Sequence, residues 1–194
     1  MLDFIQAIRA IYTRRLENKV AKGRLPRHIM IVADDMHVEK FSDFAVWCEK
    51  FGIEEITICV QELTPELEKF AEILNCRLTR GFDKQERLEK IKLNIVALSG
   101  RAEIIEAVKR LAELVEKGEL NPDEVDEKLF EAHLRIKSPP DLIIRAGAQI
   151  PDFLIWQSIY SELHFLDTDW KSFRYIDFLR CLRDYQRRER RYGK

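Results

Sequence analysis

Residues 28–35, His28-Ile29-Met30-Ile31-Val32-Ala33-Asp34-Asp35, decide the fold. Ile29 to Ala33 form an unbroken apolar run with no polar side chain to turn toward water. A strand with one wet face would alternate, so this segment needs cover on both faces, as a strand inside a parallel sheet does. Gly23 and Pro26 break the chain before it, and the two aspartates end it. Three further segments read as strands: Ile53–Val60, Ile91–Leu98, and Asp141-Leu142-Ile143-Ile144. Helical patterns stand between them. Residues 2–20 space Leu2, Ile5, Ile8, Ile11, Tyr12 and Leu16 at helical intervals. Ser42-Asp43 can cap a helix over Phe44–Phe51 that Gly52 stops, and Thr64-Pro65 opens another. Residues 102–117 present Ile104, Ile105, Val108, Leu111, Ala112 and Val115; Asn121-Pro122-Asp123-Glu124 starts the next helix, and a last one begins near Ser172. Strands alternating with helices predict an α/β domain with a mostly parallel central sheet flanked by helices. We expect one domain over residues 1–194, with an amphipathic helix at 1–20 and a C-terminal helix and tail at 172–194.

The composition supports a folded core and excludes some partners. Hydrophobic residues make up 46% of the 194 residues and charged ones 35%, while the formal net charge is −1. The chain as a whole is therefore no polyanion binder, and any anion site must come from local placement of Arg and Lys. The run Arg187-Arg188-Glu189-Arg190-Arg191 is interrupted by an acid and accompanied by no stacking platform, so no nucleic acid partner is expected. Cys48, Cys59, Cys76 and Cys181 form no C-x-x-C pair, and His28, His37, His133 and His164 show no ligand spacing, so we expect free thiols and no structural zinc. No stretch approaches a membrane span and no signal peptide is recognisable, which points to the cytoplasm. Residues 2–20 leave two readings open: a helix packed on its own domain, or a basic amphipathic helix resting on a membrane surface.

Parallel sheets carry their functional loops at the carboxyl ends of strands. Two loops follow: residues 33–40, with Asp34, and residues 145–151, with Arg145.

Asp141-Leu142-Ile143-Ile144-Arg145-Ala146-Gly147, then Phe153-Leu154-Ile155-Trp156-Gln157, Tyr160-Ser161-Glu162-Leu163, Asp177-Phe178 and Arg188-Glu189-Arg190-Arg191-Tyr192-Gly193 stand in that order. With these motifs the last third resembles the cis-prenyltransferase family, which includes undecaprenyl and dehydrodolichyl diphosphate synthases. A weaker similarity runs back through Leu93-Asn94-Ile95 to His28. The resemblance implies condensation of isopentenyl diphosphate onto an allylic diphosphate. Two diphosphates held together need arginines, backbone N–H groups and Mg²⁺ to offset their charge. By resemblance, Asp34 matches the Mg²⁺ aspartate and Arg145 a diphosphate-binding arginine. Glu162 would bind Mg²⁺ across a dimer interface or serve as a hydrogen-bonding acid in that contact. Arg191 and Gly193 match an Arg-x-Gly tail that reaches isopentenyl diphosphate in a partner's site.

The sequence also departs from that pattern. The family's Asp-Gly-Asn-Gly/Arg-Arg-Trp loop is here Asp34-Asp35-Met36-His37-Val38-Glu39, without its glycine and arginine. The stretch that follows is shorter by the family's phosphate loop, and the late loop reads Gln149-Ile150-Pro151-Asp152, without a second arginine. These departures resemble the accessory-subunit branch of heteromeric synthases that includes the Nogo-B receptor. The expectation is therefore a non-catalytic subunit that completes the site of a catalytic cis-prenyltransferase partner. The alternative is a self-sufficient Mg²⁺-dependent homodimeric synthase, in which Asp34, Arg145 and Glu162 form a reduced site. The third reading is a scaffold that reuses the fold. Trp156, Ile159, Tyr160, Leu163, Phe165 and Phe173 suggest the dimer surface.

Overall fold

The structure is a computed structural model that describes residues 2–33, 38–65, 67, 77–79, 91–97, 99–147 and 152–188. In chain order the elements are α1 (Leu2–Val20), β1 (His28–Val32), α2 (Val38–Lys50), β2 (Glu55–Cys59), β3 (Arg77–Thr79), β4 (Lys92–Val96), α3 (Gly100–Glu116), a 3₁₀ turn (Pro122–Glu124), α4 (Glu127–Ala132), β5 (Leu142–Ala146), β6 (Glu162–Leu166) and α5 (Tyr175–Arg187). The six strands form one sheet in the order β3-β4-β2-β1-β5-β6. Every pairing is parallel. The expected α/β class and central parallel sheet are present.

The apolar run at residues 29–33 explains the layering. All five residues of β1 are buried, and alternate side chains feed two cores. Ile29, Ile31 and Ala33 join Ile56, Ile58, Leu93, Ile95 and Ile144 under α1, α2 and α5. Met30 and Val32 join Cys59, Val96, Ile143, Ile136 and Leu154 on the opposite face. An aromatic cluster fastens α5 to α2. The Phe178 ring lies 5.4 Å from Phe44, 6.0 Å from Trp47 and 6.0 Å from Phe51. No helix among the described residues is long and apolar enough to cross a membrane.

Several expectations need correction. α2 starts at Val38 rather than Phe44, because Phe41 belongs to the buried stripe with Phe44 and Cys48, which leaves Ser42 and Asp43 inside the helix. It does end at Gly52, where the Ile53 N–H reaches the Cys48 carbonyl at 3.1 Å in a Schellman-type turn. The Leu67 N–H bonds the Thr64 hydroxyl at 3.3 Å, the expected cap. α3 is rotated from its expected apolar face: Glu103, Ala107 and Leu111 are buried, while Ile105 and Val108 are exposed. A polar anchor sets this rotation. The Glu103 carboxylate accepts the Arg135 N–H at 2.9 Å and the Gln157 amide at 3.2 Å. The helix expected from Asn121 is a 3₁₀ turn, followed by α4 with Asp126 as its cap. α5 starts at Tyr175 rather than Ser172, and Phe173, expected at a dimer surface, is 2% exposed in the core. The strands β3 and β6 were not expected from the sequence.

Removing the Phe178 ring leaves Phe44, Trp47 and Phe51 around a cavity. Phe178→Ala should cost about 3–5 kcal/mol, measured by chemical denaturation.

At the amino ends of the strands a buried polar network crosses the sheet. His28 Nε2 lies 2.8 Å from the Thr57 hydroxyl, and the Asn94 amide donates to Glu55 at 2.8 Å and to Thr57 at 3.2 Å. Lys92 and Ser138 complete the shell of Glu55 at 2.7 and 2.5 Å. Burial pushes His28 below its ordinary value. Burial works to raise the Glu55 carboxyl, but His28, Lys92 and Ser138 outweigh it and hold the group below its usual range. Both shifts have the same sign: the unfolded chain takes up protons at a higher pH than the folded one. Their stabilising contribution is therefore present above the ordinary values of 6.5 and 4.5 and is lost as pH falls through the lowered ones. The melting temperature should decline steadily below about pH 6.5; a flat profile down to about pH 4 would contradict this role for the network.

Candidate functional site

The strand order reverses next to β1. From β1 the chain moves to β2 on one side, and with β5 it returns to the other side. In open parallel sheets such a reversal leaves a crevice at the carboxyl ends of the strands, where ligands bind. Val32 and Arg145 are register partners across it. The carboxyl end of β1 is held firmly. The Trp170 indole N–H donates to the Val32 carbonyl at 2.6 Å, and the Ala33 N–H donates to the Cys59 carbonyl at 2.9 Å. Asp34 follows directly but lies outside the described residues.

Arg145 is half-buried, one residue before the end of β5. Alternation along the strand places it on the face of Ile143, whose neighbours are Met30, Val32 and Leu154. Gly147 then turns the chain with a φ of 81°, a left-handed conformation that side chains disfavour. After residues 148–151 the chain resumes against α3. The Gly100 N–H donates to the Asp152 carbonyl at 2.7 Å, and a Cβ on Gly100 would stand 2.7 Å from Ile155 Cγ1 and 3.0 Å from the Ile155 nitrogen. This close approach sets Arg101 on the same edge of the sheet, 4.0 Å from Asp152 and with its side chain 82% exposed. Nothing in the sequence analysis singled out Gly100-Arg101. A glycine-arginine pair that follows a parallel strand and opens a helix is the signal that would have marked it.

Glu162 does not join Arg145 here. Glu162 opens β6 and pairs with Leu142, whereas Arg145 pairs with Phe165, three residues further along. At about 3.3 Å per residue, Glu162 sits roughly 10 Å down the sheet from Arg145. Within the chain it meets Arg188 Nη1 at 3.4 Å. Arg188 also lies 3.6 Å from Asp184 and donates to the Leu163 carbonyl. The tail candidates Arg191 and Gly193 lie outside the described residues, which end at Arg188 beside β6. Among the described residues no group of three or more His, Cys, Asp or Glu side chains could hold a metal ion. Within the chain, Glu162 is engaged by an arginine.

A cavity of about 470 Å³ lies between β6 and α5, bordered by His164, Asp167, Arg174, Arg183 and Asp184. Its charges are largely paired internally: Asp177 binds Arg174 at 3.1 Å and Arg180 at 2.9 Å, and Asp184 lies 3.2 Å from His164. Cys48, Cys59 and Cys181 are buried free thiols, and burial raises Cys48 and Cys181 above the ordinary range, which makes them poor nucleophiles. Trp156, expected at a dimer surface, is half-exposed and packs at a tilt against Phe130 with centroids 4.6 Å apart.

Comparison with known proteins fits this geometry. Residues 62–193 match the family model described as "Putative undecaprenyl diphosphate synthase". The chain is 32% identical to the tritrans,polycis-undecaprenyl-diphosphate synthase (geranylgeranyl-diphosphate specific) of Methanocaldococcus jannaschii, over 95% of this chain and 88% of that protein. It is 34% identical to the isoprenyl transferase of Thermus thermophilus, over 95% of each. The alignment with the archaeal synthase runs to 247 positions but takes in only about 184 residues here (95% of 194), so roughly 60 of its positions have no counterpart. Two solved structures share the fold. They are lavandulyl diphosphate synthase from Lavandula x intermedia (TM-score 0.69, 23% identity, 91% of this chain and all of that one) and a probable undecaprenyl diphosphate synthase from Campylobacter jejuni (0.64, 23%, 88% and all). The resemblance to accessory subunits gains no support from these relatives, which bear the names of catalytic enzymes. By its fold and by similarity along nearly its whole length, the chain belongs to the cis-prenyltransferase family.

Proposed function

We propose that the chain is a polyprenyl diphosphate synthase that condenses isopentenyl diphosphate with an allylic diphosphate, using Arg145 to hold a diphosphate. One observation carries this reading: Arg145 stands beside Val32 at the point where the strand order reverses. Its guanidinium can donate paired, charge-assisted hydrogen bonds to phosphate oxygens, and the half-buried setting limits competition from water. Arg101 adds a second cation on the same edge. The names of the relatives favour a catalytic chain over an accessory one. Mg²⁺ dependence, with Asp34 as a ligand, belongs to the proposal.

A second reading has its own support. The roughly 60 positions without counterpart, and a 34–39 loop without glycine or arginine, suit a chain that completes a catalytic partner's site. In that arrangement Arg191 and Gly193 would reach isopentenyl diphosphate in the partner. One assay separates the two. Purified chain is given isopentenyl diphosphate and farnesyl or geranylgeranyl diphosphate with Mg²⁺, alone and then with a co-expressed homologous synthase from the same source. Turnover by the chain alone that disappears with chelator supports the first reading. Turnover only with the partner replaces it by the second, and none in either arm removes both. In whichever arm is active, Arg145→Ala should lower kcat/KM by about 10- to 100-fold, the size of a lost charge-assisted contact.

Ile159, Tyr160 and Phe165 are 66%, 59% and 40% exposed, an apolar surface beside the edge strand β6. We propose that it forms the subunit contact. Ile159→Asp should convert a dimer to monomers in sedimentation equilibrium and leave the melting temperature of the fold nearly unchanged, because the side chain is outside the core. A variant that stays dimeric would place the contact elsewhere.

A further inference from the structure

We propose that one stripe of α1 docks on an anionic lipid bilayer. Among the described side chains of α1, those that enter the core lie in its carboxyl-terminal half, and the Tyr12 hydroxyl accepts a long hydrogen bond from Arg183 at 3.5 Å. Leu16 and Val20 enter the core, the Val20 carbonyl accepts the Gln186 amide at 2.8 Å, and Glu17 is tied to Lys50 at 2.7 Å. Residues 6–12 are exposed without exception. A helix gains most of its stability from packing an apolar face, and residues 6–12 bury no apolar side chain in the core. Ile8, Ile11 and Tyr12 are 50%, 55% and 44% exposed. At 3.6 residues per turn they share a single arc of about 100° with Arg15 and Lys19, which are exposed as well. The stripe therefore changes along its length from apolar at residues 8–12 to basic at residues 15–19.

That order is what separates a bilayer from other occupants. Apolar turns can enter the boundary between headgroups and acyl chains, while the following cations remain at the phosphates. The charge distribution agrees. Residues 1–24 hold six basic and two acidic side chains, a net +4. The whole chain has −1, so the remainder has −5, and attraction to an anionic surface would present this end first. The inference does not depend on the proposed catalytic activity.

The test is co-sedimentation of the full chain with vesicles of phosphatidylcholine alone and of a phosphatidylcholine–phosphatidylglycerol mixture. Two double variants are compared, Ile8→Ser/Ile11→Ser and Arg15→Glu/Lys19→Glu, with the melting temperature as a check on the fold. All four side chains are exposed, so both variants should fold. We expect binding to the mixed vesicles at least about tenfold above the neutral ones, reduced at least about tenfold by either variant and weakened by salt. Equal binding to both vesicle types, no binding, or binding that depends on the basic pair but not the apolar pair would overturn the proposal. If the stripe instead meets a second copy of the chain, Ile8→Ser/Ile11→Ser will dissociate a dimer in sedimentation without altering vesicle binding, and the proposal fails.

Discussion

The structure depends on β1 being hydrogen-bonded on both sides and covered on both faces. β2 pairs along its whole length and β5 along all but its first residue. Its side chains divide the interior into two cores. The same pairing creates the reversal of strand order, so the segment that stabilises the fold also fixes where a crevice can open. A bound diphosphate would meet backbone that Trp170 and Cys59 already hold in place. The arginine would be presented by a strand rather than by a loop, which favours precise positioning.

Polar contacts refine what apolar packing leaves undecided. α3 could turn Ile104, Ile105 and Val108 inward on hydrophobic grounds alone. Burying Glu103 without partners would be costly, but Arg135 and Gln157 supply them, and the helix settles in the rotation that keeps all three groups bonded. Gln157 also donates to the Ile136 carbonyl at 2.9 Å, so one amide links α3 to the segments on either side of β5. The His28–Thr57–Asn94–Glu55 network does similar work across three strands at the opposite edge. It stands at the amino ends of the strands, away from Arg145.

What could be read in advance follows from how local each signal is. Short segments rich in apolar and β-branched residues pointed to β1, β2, β4 and β5, and Gly147 marked the end of β5, because those patterns are contained in a few residues. β6 escaped notice because Glu162-Leu163-His164-Phe165-Leu166 alternates polar and apolar side chains as an edge strand does, amid an apolar stretch that suggested an interface. β3 has three residues, too few for a period. The rotation of α3 and the burial of Phe173 depend on partners distant in sequence, which no local pattern encodes. The candidate site was legible in part. Arg145, expected in the late loop, stands inside β5 one residue before its end, Glu162 opens β6 at the far end of the paired strands, and Arg101 emerged only once the contact between Gly100 and Ile155 was known.

The Arg188 clamp bears on solubility. β6 is the last strand of the sheet, and its inner side is occupied by β5. The Glu162 N–H and the Leu166 carbonyl bond toward β5, so the alternate residue Leu163 directs its carbonyl outward, to the open edge. Such an edge can template pairing with another chain. The Arg188 guanidinium covers that carbonyl, bringing a charge and a bulky planar group to the place where a foreign strand would begin to pair. The end of the last described helix thus sets a positive charge over the edge carbonyl where such pairing would begin.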